Sequence, residues 1–562
     1  MKKTASRNQL VVAVYFLFLF GALLIIFLPT FSNPPRSDYW CLFYHFHGYQ
    51  NLTALERIVN IANYDVWGHG TYRPLFHLVL YSLHLFFGAR YFWFHAVTFG
   101  FYCFSIVLMY CVARRFGCGR AITMSFLAVF AFLFSHFDIV AWTFHLAVIV
   151  GFCLFLLGFL AYRRYLRSGR LEDLLIAVLL FLPGLLCYEV FIPWPAAVFI
   201  LFFARRRPEG GPERFRAMLR ASMMAVGGLY LFYGLIMAFA RSRSAVTVPA
   251  AEPAAFFSLS AIGFSLAVTA VSLVFNGVIA NIAPFLTCPA LIQDNIGKGG
   301  VFLKASPVLR DLLASRSDGP VNLLVAPPLI ISKAVDLDSL WRDAVPEINR
   351  FLAVAGGLII LFAIGGLFLL WKKRRPRNPG PFVFSLYLLL SSTFALYHGR
   401  MATNLPIYVL RQFRYQYISN ALVILIALLA ADRLVRALPR MRNLLYLLLA
   451  LVAALNLLFL TAHLSVVNQQ LAPLDRMLSN IKAGIGDGRI SPERPIYIDD
   501  AIARSLPPLC WNHDMARFMK GTYQWVFSPS ELRAFSFDPD QAEWIIDLET
   551  VSRLDIGHYR FK

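Results

Sequence analysis

The residues with the most chemical capacity in this chain of 562 residues are a few acids and arginines set among aromatics. Asp38 is the second residue of the run SDYWCLFYHFHGY at 37–49, which also carries His45 and His47. Arg73 stands in GTYRPL, Asp138 in SHFDIVAW and Glu189 in LCYEVFIPWP. Arg400, Arg411, Arg414 and Tyr415 fall within YHGRMATNLPIYVLRQFRYQY at 397–417. A carboxylate can take the proton of an attacking hydroxyl, and an arginine's planar fork can hold a phosphate through two parallel hydrogen bonds. Each residue also has a plainer reading. Asp38 can be an interfacial loop acid, its aromatic neighbours a membrane-interface belt, Asp138 a helix cap, and the late arginines an exposed loop.

Hydrophobic residues make up 59% of the chain and charged residues 15%, with a mean hydropathy of +0.62. Such a chain does not pack as a water-soluble globule. The expectation is an all-α polytopic membrane protein with about eleven transmembrane helices, near 10–31, 92–113, 121–136, 140–162, 173–187, 192–204, 219–240, 350–371, 381–397, 418–431 and 443–462. The first run is longer than a signal-peptide core and no small-residue cleavage site follows it, so it reads as an uncleaved span.

A formal net charge of +21 does not mark a nucleic-acid binder, because the basic residues sit in short clusters between apolar runs. Clusters at 114–120, 163–170, 205–216, 372–377 and 433–442 follow the positive-inside rule and place the amino terminus in the cytoplasm. The same parity keeps the apolar segments 74–88 and 256–286 from being single crossings. Both are expected as juxtamembrane helices or hairpins on the outer face. The remaining hydrophilic stretches are a first outer loop at 32–91, a second outer region at 241–349 and a tail. The division expected is a membrane domain over 1–462 and a small periplasmic α/β domain over 463–562. Three of the eight cysteines, Cys41, Cys288 and Cys510, fall in outer segments, which allows one disulfide at most, and no zinc-ligand spacing occurs.

Arg73 precedes Pro74 at a helix start, where the dipole disfavours a cation, so it calls for an anionic partner such as phosphate or Asp38. Glu189 lies in an apolar context and needs a partner too.

In order and spacing, several features resemble the GT-C glycosyltransferases. They are the acid after the first span, YRPL opening a juxtamembrane helix, ARRFG ending a span, SHFDIVAW, YE before a proline-bearing span, and the late RQFRYQY. The likeness is nearest to the protein O-mannosyltransferase-like and transmembrane O-mannosyltransferase branch with its bacterial relatives, over residues 1–205 and 395–465. Ser37 stands where a paired acidic motif is usual in the first loop, and Tyr188 where lysine commonly precedes the glutamate. The resemblance implies transfer of a sugar from a polyprenyl-phosphate donor to a glycan, lipid or protein acceptor on the periplasmic face of a bacterial inner membrane, with inversion. Asp38 would then be the base and Asp138 a second carboxylate that orients the acceptor or a cation. Arg73, Arg400, Arg411, Arg414 and Tyr415 would hold the donor phosphate, with Glu189, His45 and His47 as further substrate contacts. The resemblance leaves room for a divalent cation, Mg2+ or Mn2+, and the sequence names no ligand set for it. Membrane lipids are expected partners and nucleic acid is not. The rival classes are a transporter or lipid-linked-glycan flippase, an O-antigen ligase or polymerase, and a membrane scaffold without catalysis.

Overall fold

A computed structural model describes residues 2–34, most of 42–63, 73–204 apart from 89, 211–243, most of 258–282, 354, 357–358, 379–400, 416–498 and parts of 527–561. Helices dominate: α1 (Lys2–Phe27), α2 (Ala54–Ala62), α3 (Pro74–Phe87), α4 (Tyr91–Arg115), α5 (Arg120–Phe132), α6 (Phe137–Ala141) and α7 (Leu146–Ser168). They continue with α8 (Leu171–Cys187), α9 (Ala197–Phe203), α10 (Gly211–Arg243), α11 (Leu259–Val274), α12 (Gly380–Arg400), α13 (Gln416–Ala437) and α14 (Arg442–Gly486). The chain is an integral membrane protein. Among the described residues seven helices are long and apolar enough to cross a bilayer, or eight if a bent pair is one span.

The bent pair is α5 with the segment Phe134–Ala141, which turn from each other by 55° after Phe132. The expected span 121–136 is therefore broken near its C-terminal end. The expected spans 173–187 and 192–204 correspond to α8, of 17 residues, and α9, of seven. Most of 350–371 lies outside the described residues. The short apolar helices α3 and α11 occupy the two segments that parity had kept from crossing.

Glycines let α7 and α8 approach closely. A Cβ on Gly184 would come within 2.5 Å of the Phe155 ring, and one on Gly151 within 2.6 Å of Phe191; Gly158 is likewise covered by Phe181. Phe155, Phe181, Phe191 and the fully buried Trp194 fill this seam, with Phe155 and Phe191 rings 4.9 Å apart.

The arginine-bearing turns meet at one end of the bundle. Arg163 lies 5.2 Å from the centre of the Phe116 ring. Asp432 accepts the Gly119 amide at 2.7 Å and pairs with Arg436, which also donates to the Gly117 carbonyl. Arg214 donates to the Ser168 carbonyl beside Gly169, whose φ of 72° is the left-handed ending of α7.

At the break in the bent pair one backbone amide takes a side-chain partner, and asparagine side chains link the neighbouring elements. Phe134 donates its amide to Asn456 at 3.1 Å, Asn420 donates to Ser135 at 2.9 Å, and Asn281 donates to Asn420 at 2.9 Å. These amides are buried, so each bond avoids the cost of an unpaired polar group in hydrocarbon.

In the tail, α14 runs unbroken from Arg442 to Gly486, so the expected boundary at 462/463 falls inside one helix. Beyond it is a three-stranded sheet of β1 (Ile496–Ile498), β2 (Trp544–Ile546) and β3 (Arg560–Phe561), with β1 parallel and β3 antiparallel to the central β2. In register, Ile496 faces Trp544 and Trp544 faces Phe561.

Candidate functional site

At the end opposite the arginine turns, three segments distant in sequence converge. The first is the start of α3. Arg73 is its N-terminal cap residue, and Pro74 supplies the first helical position, which needs no amide partner. The second is the turn 142–145 between α6 and α7. The third is the turn 188–196, which follows α8.

Arg73 and Glu189 answer each other. Arg73 donates from Nε to Glu189 Oε2 at 2.6 Å and from Nη2 to Oε1, a two-pronged ion pair across 116 residues of sequence. Its side chain is 9% exposed and that of Glu189 23%, so the pair is mostly removed from water. The Arg73 guanidinium also lies over Tyr188, 4.3 Å from the ring centre. Tyrosine at 188, where lysine is common in the resembled family, thus serves as a face on which the cation rests. The pairing leaves both Nη1 protons of Arg73 without a hydrogen bond among the described residues.

One turn along α3, His77 is buried; desolvation, and after it the Arg73 charge, push its pKa down to about 3. It is neutral at any physiological pH. Phe76 packs edge-on to Phe144 at 4.9 Å, tying α3 to the 142–145 turn. His145, buried against Trp142 at 4.9 Å, lines a small cavity together with Tyr188, Ser392 and Ser419. Neither His77 nor His145 was singled out from sequence. The signal that points to His145 is its place at the end of WTFH, seven residues after Asp138 and at the start of a span.

Asp138 is half-buried in the first turn of α6, inside the helix rather than at its cap position, and its carbonyl accepts the Trp142 amide at 3.1 Å. His136 beside it is fully buried, with Nδ1 at 2.8 Å from the Tyr102 hydroxyl.

The described parts of 42–57 are anchored to α3. Leu42, Phe43 and Phe46 are buried, with Phe46 at 5.0 Å from Tyr81 and Phe43 at 5.1 Å from His84, so these side chains belong to the core. Arg57 on α2 gathers the loop's far side by donating to the carbonyls of Gln50 at 2.7 Å, Leu52 at 3.1 Å and Tyr49 at 3.2 Å, and to the Tyr81 hydroxyl at 3.3 Å. A Thr53–Glu56 capping box starts α2, and hydrogen bonds from the Thr53 hydroxyl and amide hold the Glu56 carboxyl below its ordinary pKa.

Asp38, His45, His47, Arg411, Arg414 and Tyr415 lie outside the described residues, as does the side chain of Arg400. So do Cys41, Cys288 and Cys510. Among the described residues no three His, Cys, Asp or Glu side chains converge as a metal site.

No protein-family profile matches the chain. The chain is similar to the protein O-mannosyl-transferase Tmtc1 of Drosophila melanogaster, 28% identical over 150 residues, which are 25% of this chain and 18% of that protein. The match therefore spans less than a fifth of the relative's length.

Proposed function

We propose that this protein is a glycosyltransferase that moves a sugar from a polyprenyl-phosphate donor to an acceptor hydroxyl at the outer surface of the membrane. The observation that carries the reading is the meeting of Arg73 from YRPL with Tyr188 and Glu189 from YE, beside the turn that follows Asp138. The similarity to Tmtc1 supports the same class.

In the proposed displacement Asp38 takes the proton of the acceptor hydroxyl as its oxygen attacks the anomeric carbon from the face opposite the phosphate. The anomeric carbon–oxygen bond to the phosphate breaks with inversion, and the polyprenyl phosphate leaves carrying the negative charge. Arg411, Arg414 and Arg400 stabilise that charge, and Arg73 offers the two Nη1 protons that Glu189 leaves over. Glu189 thus acts as a positioning residue that fixes the direction of the Arg73 fork. Asp138 orients the acceptor or a divalent cation. The setting is a bacterial inner membrane with the tail in the periplasm.

One observation favours a second reading. A broken span lined by buried Asn281, Asn420 and Asn456 is a device that transporters use to line a path, which would suit a lipid-linked-glycan flippase.

The test is transfer of radiolabelled sugar from a panel of polyprenyl-phosphate sugars by the purified protein and by Asp38→Asn, with an extract of the deletion strain as acceptor. The expected outcome is transfer of one sugar by the wild type and a loss of at least about a hundredfold in the variant, with donor binding retained. Equal transfer by both removes Asp38 from the mechanism. Absence of transfer by either, together with movement of the lipid-linked sugar across vesicles, establishes the flippase.

A further inference from the structure

We infer that Arg115, Arg163 and Arg167 form a binding site for a phosphate group at the arginine-bearing end of the bundle, the end that the positive-inside rule assigns to the cytoplasm. The site is independent of the proposed transfer reaction.

Four of the neighbouring arginines are already engaged. Arg164 pairs with Asp173 at 3.1 Å, Arg436 with Asp432 at 2.6 Å, Arg114 donates to the Cys118 carbonyl, and Arg214 donates to the Ser168 carbonyl. Arg115, Arg163 and Arg167 differ in having no hydrogen bond or ion pair among the described residues. They come from two helices. Arg115 is the last residue of α4, and Arg163 and Arg167 are one turn apart on the same face of α7. Arg163 is half-buried against Phe116, whose ring also meets Phe384 at 5.7 Å in the first turns of α12. The charges of Arg167 and Arg115 both reach Arg163.

Three cations drawn together at a partly desolvated boundary repel one another, and an anion among them reverses the sign of that interaction. The planar fork of arginine selects a phosphate oxygen pair over a halide. Phe116 fixes the plane of the innermost guanidinium, while the exposed Arg115 and Arg167 can close on the ligand from the water side. Two sources can present this group at that level, an anionic phospholipid headgroup or a soluble phosphate.

The experiment measures the thermal unfolding midpoint of the purified full chain in detergent with phosphatidylglycerol, phosphatidylcholine or sodium phosphate, the last against sodium chloride of equal ionic strength. The variants are Arg115→Gln/Arg167→Gln, in which both positions are exposed, Arg163→Lys, and the nearby Arg170→Gln as a control for the loss of an exposed positive charge. The expected result is a rise in midpoint with a phosphate-bearing anion, with apparent affinity lowered roughly fivefold for each arginine removed. Arg163→Lys keeps the charge but loses the fork and is expected to weaken binding as well, while Arg170→Gln behaves as wild type. A rise with phosphatidylglycerol alone identifies the lipid as the source, and a rise with sodium phosphate identifies a soluble group. Loss of the effect in Arg170→Gln, its persistence in the double variant, or no rise with either probe would overturn the assignment.

Discussion

The pairing of Arg73 with Glu189 solves two problems of charge with one contact, since either residue alone would be a costly cation or anion at a mostly buried position. Removing one partner leaves the other exposed to that cost. Glu189→Gln is expected to lower stability by about 2–3 kcal/mol, somewhat less than for a fully buried pair because Glu189 keeps contact with water. Its kinetic signature is more specific. If Glu189 only aims the Arg73 fork, Glu189→Gln raises KM for the donor and changes kcat less, whereas Arg73→Gln lowers kcat through loss of charge on the leaving phosphate. Initial rates over a range of donor concentrations separate the two, and equal losses in both variants would make the pair merely structural. From sequence, the need of each residue for an opposite charge was legible, because a cation at a helix start and an acid in an apolar run are each anomalous. Their choice of each other was not. The partners considered for Arg73 were phosphate and Asp38, and a contact across 116 residues leaves no trace in local spacing.

At the scale of elements, the helices most easily read were those with long apolar runs bounded by arginines, because hydropathy alone specifies a span. The break after Phe132 was not legible in this way. Its hydropathy continues through Leu133 and Phe134, and the turn is held by Asn420 and Asn456, which come from elsewhere in the chain. The burial of Phe43 and Phe46 was not legible for a related reason: phenylalanine at an interface and phenylalanine in a core look alike until a neighbour such as His84 or Tyr81 is known. The α7–α8 hairpin is the most tightly specified pair. Gly184→Ala would drive a methyl group against the Phe155 ring, and a loss of about 1–3 kcal/mol is expected, visible as a lower unfolding midpoint in detergent. Gly227→Ala on α10, where a Cβ meets open space, is the matched control and is expected to leave the midpoint unchanged or slightly raised.

For the whole molecule, the meeting of the arginine turns at one end and of the candidate site at the other makes a sidedness prediction. In right-side-out vesicles with a cysteine-depleted background, Asn51→Cys is expected to react with a membrane-impermeant maleimide, and Arg440→Cys only after permeabilisation. The opposite pattern would invert the assignment of both ends. The long helix α14 adds a mechanical consequence. Its apolar span ends at Thr461, and roughly 25 further residues, about 37 Å of helix, carry the chain on toward the three-stranded sheet, steadied by a bond of 2.6 Å between Asn33 and Asn468. A helical stalk of this kind ties height to azimuth. One residue inserted above Asn468 would swing the sheet by about 100° while lifting it only about 1.5 Å, whereas seven would return it nearly to its bearing some 10 Å farther out, roughly. Insertions of different length would thus separate the direction in which the tail faces from its distance to the membrane surface.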